Sequence, residues 1–106
     1  MSKKEQILKR IVDVVEQKVP NSEIYLFGSQ ARGTAQKFSD WDVLILLNTQ
    51  SVSFDFETNF MNDFYDIELE TGIIISPLIY TLNDWNSNHS ITPLFSNIKR
   101  EGVRLK

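Results

Sequence analysis

The sequence predicts an α/β (α+β) domain, and three observations carry that reading. Residues 3–18 and 54–71 repeat apolar side chains at helical spacing. Three short runs, EIYLFG (23–28), WDVLILL (41–47) and IIISPLIYT (73–81), are dense in β-branched and aromatic residues and bounded by turn formers. The two patterns alternate along the chain in the order α, β, turn, β, α, β, α, the mark of an α/β arrangement.

Each element has a local cause. In the first helix Ile7, Ile11, Val14 and Val15 share a face, Ser2 and Glu5 form a capping box, and Pro20 and Asn21 stop it. EIYLFG is a short strand ending at glycine, and SQARG (29–33) is one helical turn before the polar loop TAQKFS. WDVLILL is apolar on both faces, so it is expected at the centre of the sheet. Ser53 caps the second long helix, Phe56, Phe60, Phe64 and Ile67 line its inner face, and Gly72 closes it. Pro77 cannot donate to a ladder, which places the third strand at an edge or a bulge. A turn is expected around Asp84 and Trp85. A last helix follows, capped by Thr92 with Pro93 at its first position and ended by Gly102. Val103 to Leu105 can add a short strand.

The 106 residues suit one domain, 1–106, with no repeat and no linker. No cysteine is present, so cysteine-based metal sites and nucleophiles are excluded. The first residues, MSKKEQILKRIVDVVEQ, are charged throughout, unlike a secretory signal. No apolar run approaches the roughly 20 residues that a membrane helix needs. The expected location is cytoplasmic, with no membrane partner. A net charge of −3 without a basic block argues against general nucleic-acid binding, which needs many Lys and Arg contacts to phosphate. It does not oppose binding one nucleotide through a metal ion.

The chemistry concentrates in GSQARGTAQKFSDWD, residues 28–42. Asp40 and Asp42 stand two apart at a strand, so their carboxylates point to one side. Like charges that close resist joint ionisation unless a cation lies between them. Hard oxygen ligands favour Mg²⁺ or Mn²⁺, and magnesium takes phosphate oxygens among its other ligands. Gly28 and Ser29 end the preceding strand, where a bare glycine admits close approach and the next turn offers free N–H groups to an anion. Alone, a Gly-Ser is a turn and an Asp-x-Asp a solvated loop. At this spacing and in this strand context, they read as a phosphate cradle facing a metal pair.

Gly-Ser, ten residues, then Asp-x-Asp resembles the signature of the DNA polymerase beta-like nucleotidyltransferase superfamily. FGSQARGTAQKFSDWDVLILL is similar to the minimal nucleotidyltransferase proteins, through Gly28, Ser29, Ala31, Arg32, Gly33, Ser39, Asp40 and Asp42. NIKREGVRL resembles their closing helix and Glu-Gly turn. The resemblance implies a nucleotidyltransferase fold, with a mixed sheet backed by helices. Asp40 and Asp42 would be catalytic and hold two Mg²⁺ ions. Gly28, Ser29 and Arg32 would form the nucleotide-binding set. For Arg32, pairing with a carboxylate competes with phosphate contact and is preferred. The implied reaction moves a nucleotidyl group, AMP from ATP or from another nucleoside triphosphate, to an acceptor. The implied acceptor is a partner protein, a helical HEPN-domain ribonuclease to which such proteins serve as antitoxins.

The chain departs from that pattern at one place. The family's third carboxylate aligns with Ser76, and Thr71 through Asn83 contain no Asp or Glu. A serine hydroxyl is a weak ligand and a poor base. Glu68 and Glu70 are the nearest replacements, though a solvated helix face explains them more simply. A non-catalytic nucleotide-binding or antitoxin module is the alternative this motivates. Elsewhere, His89 is expected on a polar surface loop and Trp41 in the core. Trp85 is expected over the sheet edge, and the phenylalanines at 54, 56, 60 and 64 in core or interface.

Overall fold

The structure, a computed structural model, describes residues 3–33 and 40–106. Ser2 of the expected capping box and the loop 34–39, with Ser39, lie outside the described residues. Helix α1 (Lys3–Lys18) buries Ile7, Ile11 and Val15 as one stripe. It leads into β1 (Glu23–Phe27), the short helix α2 (Gly28–Arg32) and β2 (Trp41–Leu47). Helix α3 (Phe54–Thr71) starts where the Ser53 hydroxyl accepts from Phe56 N at 3.1 Å. It ends at Gly72 in the left-handed conformation, where a glycine pays no Cβ penalty. Strand β3 (Ile75–Thr81), helices α4 (Leu82–Asn88) and α5 (Pro93–Glu101) and strand β4 (Val103–Arg104) complete the chain.

The sheet order is β3-β2-β1-β4, with β1 antiparallel to both neighbours and β2 parallel to β3. The parallel pair requires a crossover, and α3 supplies it. Strand β2 is central, and β3 with Pro77 is an edge, as Pro77 demands.

Alternation along β2 divides the core in two. Trp41, Val43, Ile45 and Leu47 pack with α1 and α3, and Phe60, Phe64 and Ile67 close that side. Leu44 and Leu46 face the other way, onto Trp85 of α4 and Ile98 of α5. Helices therefore cover both sheet faces, which is why WDVLILL has no polar face beyond its aspartate.

Three expectations need correcting. The turn at Asp84 and Trp85 is helix α4, capped by the Thr81 hydroxyl, which accepts from Asp84 N at 3.0 Å. Its polar sequence LNDWNSN carries a single large apolar anchor near its middle, too little for a periodic signal. That anchor, Trp85, is buried over the sheet face rather than its edge, with Tyr80 and Phe95 rings 5.4 and 5.3 Å away. His89 is not a plain surface residue. It ends α4, lies 3.2 Å from an Asp84 oxygen through Nε2, and its ring is 4.4 Å from that of Tyr80. Among the described residues, no helix is long and apolar enough to cross a membrane.

Candidate active site

Asp42 sits second in β2, opposite Phe27 of β1 and Ser76 of β3. It belongs to the sheet face of Leu44 and Leu46, the face covered by α4 and α5. Asp40 immediately precedes the strand and returns to the same side. The Ser76 hydroxyl donates to Asp40 Oδ2 at 3.0 Å. The two acids thus gather at one end of the central strand, with β3 alongside.

Gly28 closes the other side. Its φ is +71°, and a Cβ there would lie 2.3 Å from Asp42 Oδ2. Two independent constraints therefore demand glycine: a left-handed backbone and a carboxylate pressed against the Cα. The sequence reading gave the missing side chain to an approaching phosphate; here its space is occupied first by Asp42. Ser29 follows Gly28 in the first turn of α2, where backbone N–H groups lack helical partners.

Burial raises the Asp42 carboxyl above its ordinary value, the Asp40 charge adds to that, and the Arg32 charge pulls the other way. Arg32 Nη1 lies 3.4 Å from Glu101 Oε2, an ion pair between α2 and α5 that matches the preferred structural role. The same guanidinium still acts on Asp42 through its charge.

The position expected for a third acid lies beside Asp42 in the register of β2 and β3. Ser76 is the direct neighbour of Asp42, and it offers a hydroxyl. Neither replacement reaches the site. Glu68 Oε1 accepts from Ile75 N at 2.7 Å, tying α3 to the start of β3, and Glu70 pairs with Arg10. Among the described residues no group of three or more His, Asp or Glu side chains gathers as a metal site. Two contacts were invisible in the sequence: the Ser76–Asp40 bond and the Arg32–Glu101 pair. Each depends on a juxtaposition across the fold, and no local pattern announces either.

The donors present still fit a hard divalent cation. Asp40 and Asp42 act on each other as like charges at one end of β2, the Arg32 charge offsets that only in part, and hard oxygen donors of this kind suit such a cation. A cavity of about 220 Å³ opens on the same sheet face, lined by Tyr25, Leu44, Trp85, Phe95 and Ile98 among others. It contains none of the predicted site residues.

Comparison with known proteins agrees with this architecture. The family described as nucleotidyltransferase domain matches residues 8–83. No curated protein matches. Among solved structures, one described as the crystal structure of a toxin–antitoxin with AMP-PNP is similar with a TM-score of 0.67 at 18% identity. The alignment covers 93% of this chain and 72% of that one. At that identity the likeness speaks for the fold. The family match spans Gly28, Ser29, Asp40, Asp42 and Ser76 together, and the chain belongs to the nucleotidyltransferase domain family, the minimal type within the DNA polymerase beta-like superfamily, whose members are transferases of phosphorus-containing groups.

Proposed function

We propose that this chain is a Mg²⁺-dependent nucleotidyltransferase that moves AMP from ATP to a hydroxyl of a partner protein, a helical HEPN-domain toxin. The observation that carries the proposal is the placement of Asp42 against the bare Cα of Gly28, with the Asp40 charge acting on it from just before β2. In the reaction the acceptor hydroxyl oxygen bonds the α-phosphorus and gives up its proton to water, the bond from that phosphorus to the oxygen it shares with the β-phosphorus breaks, and pyrophosphate leaves.

The chain's own residues orient and hold charge. Asp40 and Asp42 would hold the metal, with Mn²⁺ an acceptable substitute. When bound, two such ions supply charge neutralisation to the triphosphate and to the attacking and leaving oxygens. Ser29 and the first N–H groups of α2 would bind phosphate. Arg32, pinned by Glu101, would add positive charge at the rim. The Ser76 hydroxyl would hold Asp40 in its rotamer. The solved toxin–antitoxin with AMP-PNP, similar in fold, supports an adenine nucleotide and a toxin–antitoxin setting.

The test is incubation with α-labelled ATP, Mg²⁺ and a HEPN-domain protein encoded beside this chain. Label should pass to that protein with the native chain and fail with Asp40→Asn or Asp42→Asn. Transfer that survives both substitutions would refute the assignment.

Ser76 favours a second reading, a nucleotide-binding antitoxin module without turnover. It predicts Mg²⁺-dependent ATP binding, tight partner binding and no transferred label. Ser76→Asp separates the two. If the missing acid limits the chemistry, the substitution raises transfer; a purely binding module stays silent with it.

A further inference from the structure

Helix α3 carries a second apolar face that the fold leaves uncovered. Phe54, Met61, Tyr65 and Leu69 are 82%, 38%, 57% and 67% exposed. Their offsets of 7, 11 and 15 residues from Phe54 place them within about 80° of one another at 100° per residue, on the side away from Phe60 and Phe64. The stripe runs about 22 Å at 1.5 Å per residue, four turns of helix. Phe54 thus stands apart from the inner face of Phe56, Phe60 and Phe64.

The surroundings select the occupant. From Phe38 through Ile98 the chain has no Lys or Arg. Asp55 and Asp66 are exposed along one border of the stripe. Two cations of α1 reach α3, Lys18 pairing with Asp63 and Arg10 with Glu70. A second copy docking α3 against α3 would set acid against acid, a costly like-charge contact.

We propose that the outer face of α3 docks an amphipathic helix of a partner protein, with apolar residues on one face and Lys or Arg along its borders. This contact is separate from Asp40 and Asp42 and does not depend on nucleotide transfer.

The probe is a fluorescent 18-residue Leu/Lys amphipathic peptide, titrated by anisotropy against the full chain. Binding should weaken with added salt, and a peptide with Glu in place of Lys should not bind. Tyr65→Ser with Leu69→Ser removes apolar surface while keeping every charge, and should weaken binding about tenfold or more. Asp55→Asn with Asp66→Asn should also weaken it, with an unchanged circular dichroism spectrum. Equal binding by the Ser variant, no binding by the native chain, or dimerisation lost with the Ser variant would each overturn the proposal. Mg²⁺·ATP titration of the same variants reads the nucleotide site separately and should not change.

Discussion

A methyl group at position 28 would stand 2.3 Å from Asp42 Oδ2, on a backbone whose φ of +71° already disfavours any Cβ. The left-handed conformation alone costs about 1–2 kcal/mol for a residue with a side chain. Gly28→Ala should therefore lower stability by at least about that amount and displace Asp42. Denaturant titration checks the first effect, and loss of Mg²⁺-dependent ATP binding checks the second. Asp42→Asn should act in the opposite direction on the fold. Burial and Asp40 raise the Asp42 carboxyl, so the folded chain holds that proton more readily than the unfolded chain does. The stability contributed by this group is complete below the unfolded carboxylate range and is lost as pH rises through the raised value. At neutral pH the native chain bears the cost of a charge that Asn lacks. Thermal unfolding across pH should show Asp42→Asn the more stable at pH 7, with the gap closing on acidification. A gap that widens on acidification would contradict the assigned repulsion. The same variant should lose metal affinity by more than about 100-fold, since losing even a ligand's supporting partner costs about 10–100-fold. Stability and function thus oppose each other at one carboxylate.

The elements differ in how openly the sequence declares them. Helices α1 and α3 run 16 and 18 residues, long enough for three or more apolar repeats. Ser53 and Gly72 bound α3 with side-chain and backbone devices that are local and therefore readable. Strand β2 shows its central place because both of its faces are apolar. Helix α4 is the contrary case. Its start depends on Thr81, which also ends β3, and its packing depends on one indole. Thr81→Ala should remove that cap and cost about 1 kcal/mol, with larger mobility at Trp85. Trp85 fluorescence during denaturation, read in a Trp41→Phe background, measures it; an unchanged midpoint would mean that Trp85 packing alone holds α4. The site divides in the same way. The shared side of Asp40 and Asp42 is legible because strand alternation is local. The Ser76–Asp40 bond is not, because the parallel register of β3 is set by the α3 crossover and by packing across the whole sheet. Arg32 and Glu101, 69 positions apart, meet only once α5 lies over the second sheet face.

At the scale of the molecule, the candidate site is assembled from segments with no local claim on one another. Gly28 follows β1, the two acids open β2, and Ser76 lies in β3, reached after the whole of α3. The closing strand β4 pairs with β1, and Leu105 N donates to Ile24 O at 2.7 Å, so the end of the chain braces the strand that presents Gly28. A ligand that engages Gly28, Asp40 and Asp42 together therefore binds the folded chain and has no counterpart in the unfolded one. Linkage then gives its effect. At 100 times its Kd such a ligand adds about 2.7 kcal/mol to the unfolding free energy. A domain near this size gains about 4–8 °C in Tm per kcal/mol, so saturating Mg²⁺·ATP should raise Tm by about 10–20 °C. In the proposed site a cation would relieve the repulsion between the acids and Ser29 would hold phosphate, so ATP with a chelator should give little shift. Mg²⁺ alone should give only part of the full one. Asp40→Asn should flatten the response while leaving the unliganded chain folded. An equal rise with ATP in chelator would place the nucleotide elsewhere on the molecule, away from the acidic pair.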